Sequence, residues 1–204
     1  MKTFLGIDSG SKKIGIGVLE LDDDNKIHFK AVHLIKINDK LDTLDKIKSA
    51  RDEVSSYIEQ YNPDHIFIEE LIQFMKDRST AATIIALTTF NRNLCSLAYD
   101  YLHKKNGGKP TLLHVQTIRA AIKIDERVAK EDVPDALEKR LGINFPRKFV
   151  TRGKKKGQVA EETYDMSDGL ACCLAGVLRH INPPKTKPKA KKKPKAKKTE
   201  EKIT

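Results

Sequence analysis

Residues 4–20 read FLGIDSGSKKIGIGVLE. The first four residues are apolar enough to bury as a strand, yet the run ends in Asp8 and turns at once through Ser9 and Gly10. A second apolar run follows from Ile14, and a third lies beyond the turn-like DDDN at 22–25. The pattern predicts three successive strands, at 3–8, 14–21 and 27–37, joined as a meander. It also leaves a carboxylate at the tip of the first strand.

Working outward, residues 41–62 place Leu41, Leu44, Ile47, Val54 and Ile58 at helical spacing, with Pro63 as the stop. HIFIEEL from His65 reads as a short strand. A long helix runs over 79–105 and closes at Gly107 and Gly108. TLLHV from Thr111 is a further strand, 116–124 and 130–142 are helical pieces, 147–157 (RKFVTRGKKKG) is a basic connector, and 163–181 is a final helix. Three strands, then alternating helix and strand, specify an α/β fold. The expected sheet is mixed and five-stranded, with three antiparallel strands plus two parallel, flanked by helices on both faces. No internal repeat is visible.

A chain of 204 residues that is 39% hydrophobic builds one good core and is short for two. No apolar run is long enough to span a bilayer, and the N-terminus lacks the pattern of a signal peptide, so a soluble, intracellular protein is expected. Cys95, Cys172 and Cys173 form neither a CxxC pair nor an even set and read as buried thiols in a reducing compartment. The formal net charge is +11. Residues 183–204 hold ten lysines against two glutamates, a contribution of +8, which leaves +3 for residues 1–182. The division is therefore a folded unit at 1–182 and a Lys/Pro-rich tail at 183–204, too poor in apolar residues to offset the entropy of ordering. The tail reads as a solubilising segment, or else as an electrostatic arm for nucleic acid or a nuclear address.

The acids can be placed on this scaffold. Asp8 closes the first strand, Glu69 or Glu70 closes IFIEEL, and Asp165 and Asp168 lie three apart on an otherwise apolar helix, sharing one face about 5–6 Å apart. Ligands of open α/β sheets bind at the carboxyl ends of the strands. Four clustered hard oxygens without Cys or His suit Mg²⁺ or Mn²⁺, and two such ions support phosphodiester hydrolysis. Each acid has a plainer reading: Asp8 as a turn residue, Glu70 paired with Lys76 or Arg78, and Asp165 and Asp168 as helix-start carboxylates favoured by the dipole. The joint placement favours the site.

FLGIDSGSKKIGIGVLE, PDHIFIEEL and YDMSDGLACCLAGVL resemble the three acidic motifs of the RuvC-type Holliday junction resolvases, within the RNase H-like nuclease superfamily. The resemblance runs through residues 1–181 in order. It implies an RNase H-like fold and two Mg²⁺ ions, with Mn²⁺ as a substitute, held by Asp8, Glu69, Asp165 and Asp168. The implied activity is a homodimeric endonuclease that nicks a four-way DNA junction symmetrically. Glu69 is preferred to Glu70 because it directly follows the apolar IFI, as in the family motif. Lys130 best matches a lysine near the scissile phosphate, where it stabilises developing charge. Arg119, Lys123, Arg147, Lys148, Arg152, Lys154, Lys155 and Lys156 are candidates to grip junction arms through phosphates. Phe74, with Lys76 and Arg78, falls where the family has a junction-opening loop. The long helix after Ser79 carries Ile84, Ile85, Leu87, Leu94 and Leu97 on more than one face, enough to pack on both sheet and partner.

Two other functions compete. A related nuclease acting on RNA or other branched DNA would use the same acids. GIDSGSKKIGIGV also looks like the first phosphate turn of actin-like ATPases, but those proteins need two lobes and no second glycine-rich turn is present.

Overall fold

The computed structural model describes residues 1–71, 80–122 and 129–183. Strands β1 (Lys2–Ser9), β2 (Lys13–Leu21) and β3 (Ile27–Lys36) form the antiparallel meander. β4 (His65–Glu70) pairs parallel to β1, and β5 (Thr111–His114) parallel to β4, giving the order β3-β2-β1-β4-β5. The expected mixed sheet of three antiparallel strands plus two parallel is present.

Strand side chains alternate between faces, and that alternation divides the core in two. Leu5, Ile7, Ile14, Ile16, Val18, Ile66 and Ile68 pack toward α1 (Thr43–Tyr61) and α2 (Ala81–Asn106), against Val54, Ile58, Phe90, Leu94 and Ala98. Phe4, Leu19, Leu21 and Phe67 face the other way, toward α3 (Val115–Ile122), α4 (Val133–Leu141) and the apolar α5 (Glu161–Ile181). Helices therefore cover both faces. Among the described residues no helix is long and apolar enough to cross a membrane. Cys172 and Cys173 are buried, Cys95 is partly covered, and all three are free thiols.

The departures from the sequence reading are local. α1 begins at Thr43 because the Asp42 carboxylate accepts a hydrogen bond from the Asp45 amide at 2.9 Å and caps it. Leu44, in its first turn, is 78% exposed, so the apolar stripe meets the sheet only from Ile47 onward. α5 starts two residues earlier than expected, at Glu161. The basic connector doubles back on itself: Phe149 bridges Val159, the Val150 amide donates to the Gln158 carbonyl, and the Ala160 amide donates to that of Lys148. Gly153 and Gly157, at φ 80° and 85°, make its turns. Phe74, Lys76, Arg78, Lys123 and the tail from 184 lie outside the described residues.

Candidate active site

Counting by twos along β1 from Phe4 puts Gly6 and Asp8 on the α5 side of the sheet, with Ser9 on the opposite side beside α2. The same count along β4 puts Phe67 and Glu69 on the α5 side and Ile68 and Glu70 on the other. Glu70 is exposed there, whereas Glu69 is partly covered. Alternation thus puts Glu69, and not Glu70, on the face that Asp8 occupies.

α5 reaches these acids because glycine lets backbone lie on backbone. Asp8 stands opposite Gly15 in the β1–β2 register. A Cβ on Gly15 would collide with the Asp165 carbonyl oxygen, and one on Gly169 would collide with the Gly15 backbone. Gly17 makes the same close approach to Leu170. The second turn of α5 therefore sits directly over the strand pair that ends in Asp8. With Ala160 as N-cap, Asp165 and Asp168 lie inside the helix rather than at its cap, with side chains only 16% and 13% exposed.

Four carboxylates crowded together with little water must hold protons or find cations. Burial, with the negative charges of Glu69 and Asp168, pushes Asp8 well above the usual carboxylate range, against the pull of Lys130. Burial and Asp168 push Glu69 up to about 7 against Arg119 and Lys130. Burial also raises Asp168, outweighing Lys130 and Arg119.

The cations are close by. Lys130 Nζ lies 3.4 Å from both Asp165 Oδ1 and Asp168 Oδ2. Arg119 Nη2 lies 3.2 Å from Asp168 Oδ1. Lys13 Nζ lies 3.2 Å from Asp165 Oδ2 and 3.1 Å from Glu161. Burial works against the charge on Lys130, but Asp168 and Asp165 prevail and its pKa rises.

The donor set fits a hard divalent cation: all oxygen and partly desolvated, with Asp8, Glu69 and Asp168 protonated more readily than usual. Asp165 Oδ2 is buried with no aligned hydrogen bond despite the nearby Lys13 ammonium. As the side chains stand, Asp165 and Asp168 face Lys13, Lys130 and Arg119, and among the described residues no three acids form a closed ligand cage.

The remaining basic candidates divide. Arg119 is inside the acid pocket rather than on an outer surface. Arg147 is held by Glu138, at 2.6 and 3.0 Å, and by Asp135, so its guanidinium locks α4 to the start of the doubled-back segment. Lys148, Arg152, Lys154, Lys155 and Lys156 are exposed on that segment. Thr163 fixes its root to α5, accepting from the Lys148 amide at 2.9 Å and donating to the Lys148 carbonyl at 3.1 Å. Between this segment and α5 is a cleft of about 620 Å³ whose walls include Lys130, Lys155 and Tyr164. The sequence reading missed Lys13, which counting back by twos from Gly15 would have placed on the α5 face.

A family model described as crossover junction endodeoxyribonuclease RuvC matches residues 4–99. The chain is 31% identical to the crossover junction endodeoxyribonuclease RuvC of Caldicellulosiruptor saccharolyticus over 146 residues, covering 65% of this chain and 86% of that one. It is 29% identical to the RuvC of Finegoldia magna over 156 residues, covering 71% and 94%. Among solved structures, it resembles T. thermophilus RuvC in complex with Holliday junction substrate, with a TM-score of 0.65 at 15% identity, covering 88% of this chain and 96% of that one. The yeast mitochondrial Holliday junction resolvase Ydc2 superposes with a TM-score of 0.55 at 18% identity, covering 87% and 80%. At these identities the solved structures establish a shared fold.

Proposed function

The chain belongs to the RuvC family of crossover junction endodeoxyribonucleases, and from that premise we propose that it resolves four-way DNA junctions by metal-dependent hydrolysis at Asp8, Glu69, Asp165 and Asp168. One observation carries the proposal: strand alternation and the glycine contact bring these four acids to one side of the sheet edge. Four carboxylates gathered beside Lys13, Lys130 and Arg119, three of them still with raised pKa, support a site that takes up further positive charge.

Asp8, Glu69, Asp165 and Asp168 would hold two Mg²⁺ ions, with Mn²⁺ able to replace them. When bound, these cations supply Lewis acidity at the scissile phosphodiester. Asp8 and Glu69, whose pKa values burial raises, would hold the cations as carboxylates. Water attacks phosphorus in line, the bond to the 3′ oxygen breaks, and a proton passes to that oxygen, leaving a 5′ phosphate and a 3′ hydroxyl. Lys130 and Arg119, next to the acids in the free protein, supply positive charge for the phosphoryl oxygens. Lys148, Arg152, Lys154, Lys155 and Lys156 hold a junction arm by its phosphates, which fixes position without reading sequence. Two copies of the chain, meeting through α2, account for paired nicks on opposite strands.

A labelled synthetic four-way junction tests this directly. The wild-type protein should make paired nicks only with Mg²⁺ or Mn²⁺, and Asp8→Asn should bind the junction without cutting it. Cutting by Asp8→Asn would remove that carboxylate from the mechanism. Equal cutting of linear duplex, flap or RNA hybrid would replace the junction as substrate.

A further inference from the structure

Asp8 and Glu69 sit on neighbouring parallel strands, one residue beyond the last pair of their ladder. The β1–β4 ladder pairs Phe4 with His65, Leu5 with Ile66, Gly6 with Phe67 and Ile7 with Ile68, and stops there. One residue further on, each chain carries its carboxylate. Two carboxyl groups at the end of a ladder crowd one another, and although β2 pairs with Asp8 and β5 with Glu69, no β1–β4 pair joins the one acid to the other.

The missing tie comes from the opposite face of the sheet. Asn91, in α2, is one of the few buried polar residues among those described, at 2% exposure. Its amide nitrogen donates to Ser9 Oγ at 2.8 Å and to the Glu69 main-chain carbonyl at 2.9 Å. An Asn side chain has two N–H groups, and here each goes to a different strand tip. Ser9, also buried at 3%, directly follows Asp8, and the carbonyl belongs to the acid-bearing residue itself. The Asn91 carbonyl oxygen faces Cys95 Sγ at 3.7 Å, a weak donor that leaves the amide orientation fixed by its two strong bonds. A helix that otherwise presents Phe90, Leu94 and Ala98 to the sheet thus devotes one buried position to a polar group that spans two strands.

We infer that Asn91 is a positioning residue that sets the separation of Asp8 and Glu69, and through it the affinity of the acid pocket for its divalent cation. This rests on the metal-dependent reading above. Asn91 lies on the far side of the sheet from the acids and touches no reacting group. It acts through Ser9 and the Glu69 backbone. Residues that orient metal-binding groups from behind characteristically change affinity or activity by about 10- to 100-fold when lost.

The test measures Mn²⁺ binding directly, by calorimetry on the full chain, for wild type, Asn91→Leu and Ser9→Ala, alongside junction affinity without divalent cation and thermal melting. Asn91→Leu keeps the branched shape of the side chain, with two methyl groups in place of the amide oxygen and nitrogen, and lacks both donors. It should weaken Mn²⁺ binding about 10- to 100-fold and raise the Mg²⁺ concentration for half-maximal cutting in step, with junction affinity unchanged and cutting partly regained at high Mg²⁺. Ser9→Ala removes one acceptor and should shift Mn²⁺ affinity in the same direction by less. A lower melting temperature with unaltered Mn²⁺ affinity would make Asn91 merely structural and overturn the inference. If Asn91→Leu does not fold, unaltered Mn²⁺ affinity in Ser9→Ala overturns it equally. Failure of the wild type to bind Mn²⁺ would overturn the metal reading, and this inference with it.

Discussion

At the scale of single residues, the four acids are not equivalent, and the difference is chemical. Glu69 shares the α5 face with Asp8, whereas Glu70 points to the opposite face and is exposed. Glu69→Gln should therefore cut a four-way junction at least about 100-fold more slowly than wild type, and Glu70→Gln should stay within about threefold, measured as single-turnover rates. The reverse order would exchange their roles. The raised pKa values of Asp8, Glu69 and Asp168 also bear on stability. A carboxyl raised in the folded state stabilises the protein below its unfolded pKa, and that contribution is lost as pH climbs through the folded value, about 7 for Glu69. The metal-free protein should therefore melt lower at pH 8 than at pH 5.5, by on the order of 5 °C, with Mg²⁺ or Mn²⁺ restoring the difference at pH 8. A melting temperature that rises with pH across this window would contradict the crowding of acids.

At the scale of elements, one helix crossing decides whether the acids meet. α5 lies on β2 at Gly15 and Gly17 with no side chain between the backbones, and Gly169 returns the contact from the helix. A methyl at Gly15 meets helix backbone at Asp165 and Gly169 and no flexible side chain that could give way, so the helix must lift away from the strand tip. Gly15→Ala should cost about 1–3 kcal/mol by overpacking and should reduce cutting well beyond what that loss of stability explains. Denaturant melts and single-turnover rates on the same variant separate the two effects. A stable Gly15→Ala with full activity would mean that the close contact does not place Asp165. The basic segment at 148–160 shows a related economy, since Thr163 ties its root to the first turn of the helix that carries Asp165 and Asp168.

At the scale of the whole molecule, the charge is unevenly spread, with +8 of the formal +11 in residues 183–204. Deleting 184–204 should flatten the salt dependence of junction binding, by roughly 0.9 in the log–log slope for each phosphate that the tail had neutralised, while leaving cutting of bound junction unchanged. An unaltered slope would make the tail a bystander. Much of the molecule was legible in the order of its residues. Apolar runs of strand length, turn signals between them, the i, i+3 aspartates and the alternating helix and strand after β3 are local patterns, and local patterns dictate which elements form. Period-two counting even contained the shared face of Asp8 and Glu69 and the inward face of Lys13. Other features depended on packing: α5 resting on glycines, Arg119 turned inward onto Asp168, Arg147 committed to Glu138 and Asp135, the doubled-back segment held by Thr163, and Asn91 reaching across the sheet. Each joins residues remote in the chain through an interaction that neither partner's neighbours encode. The sequence by itself determined which acids exist and which strands and helix carry them. Only the tertiary structure decided how close they stand and what holds them there, because separation between charges is set by packing and not by spacing along the chain.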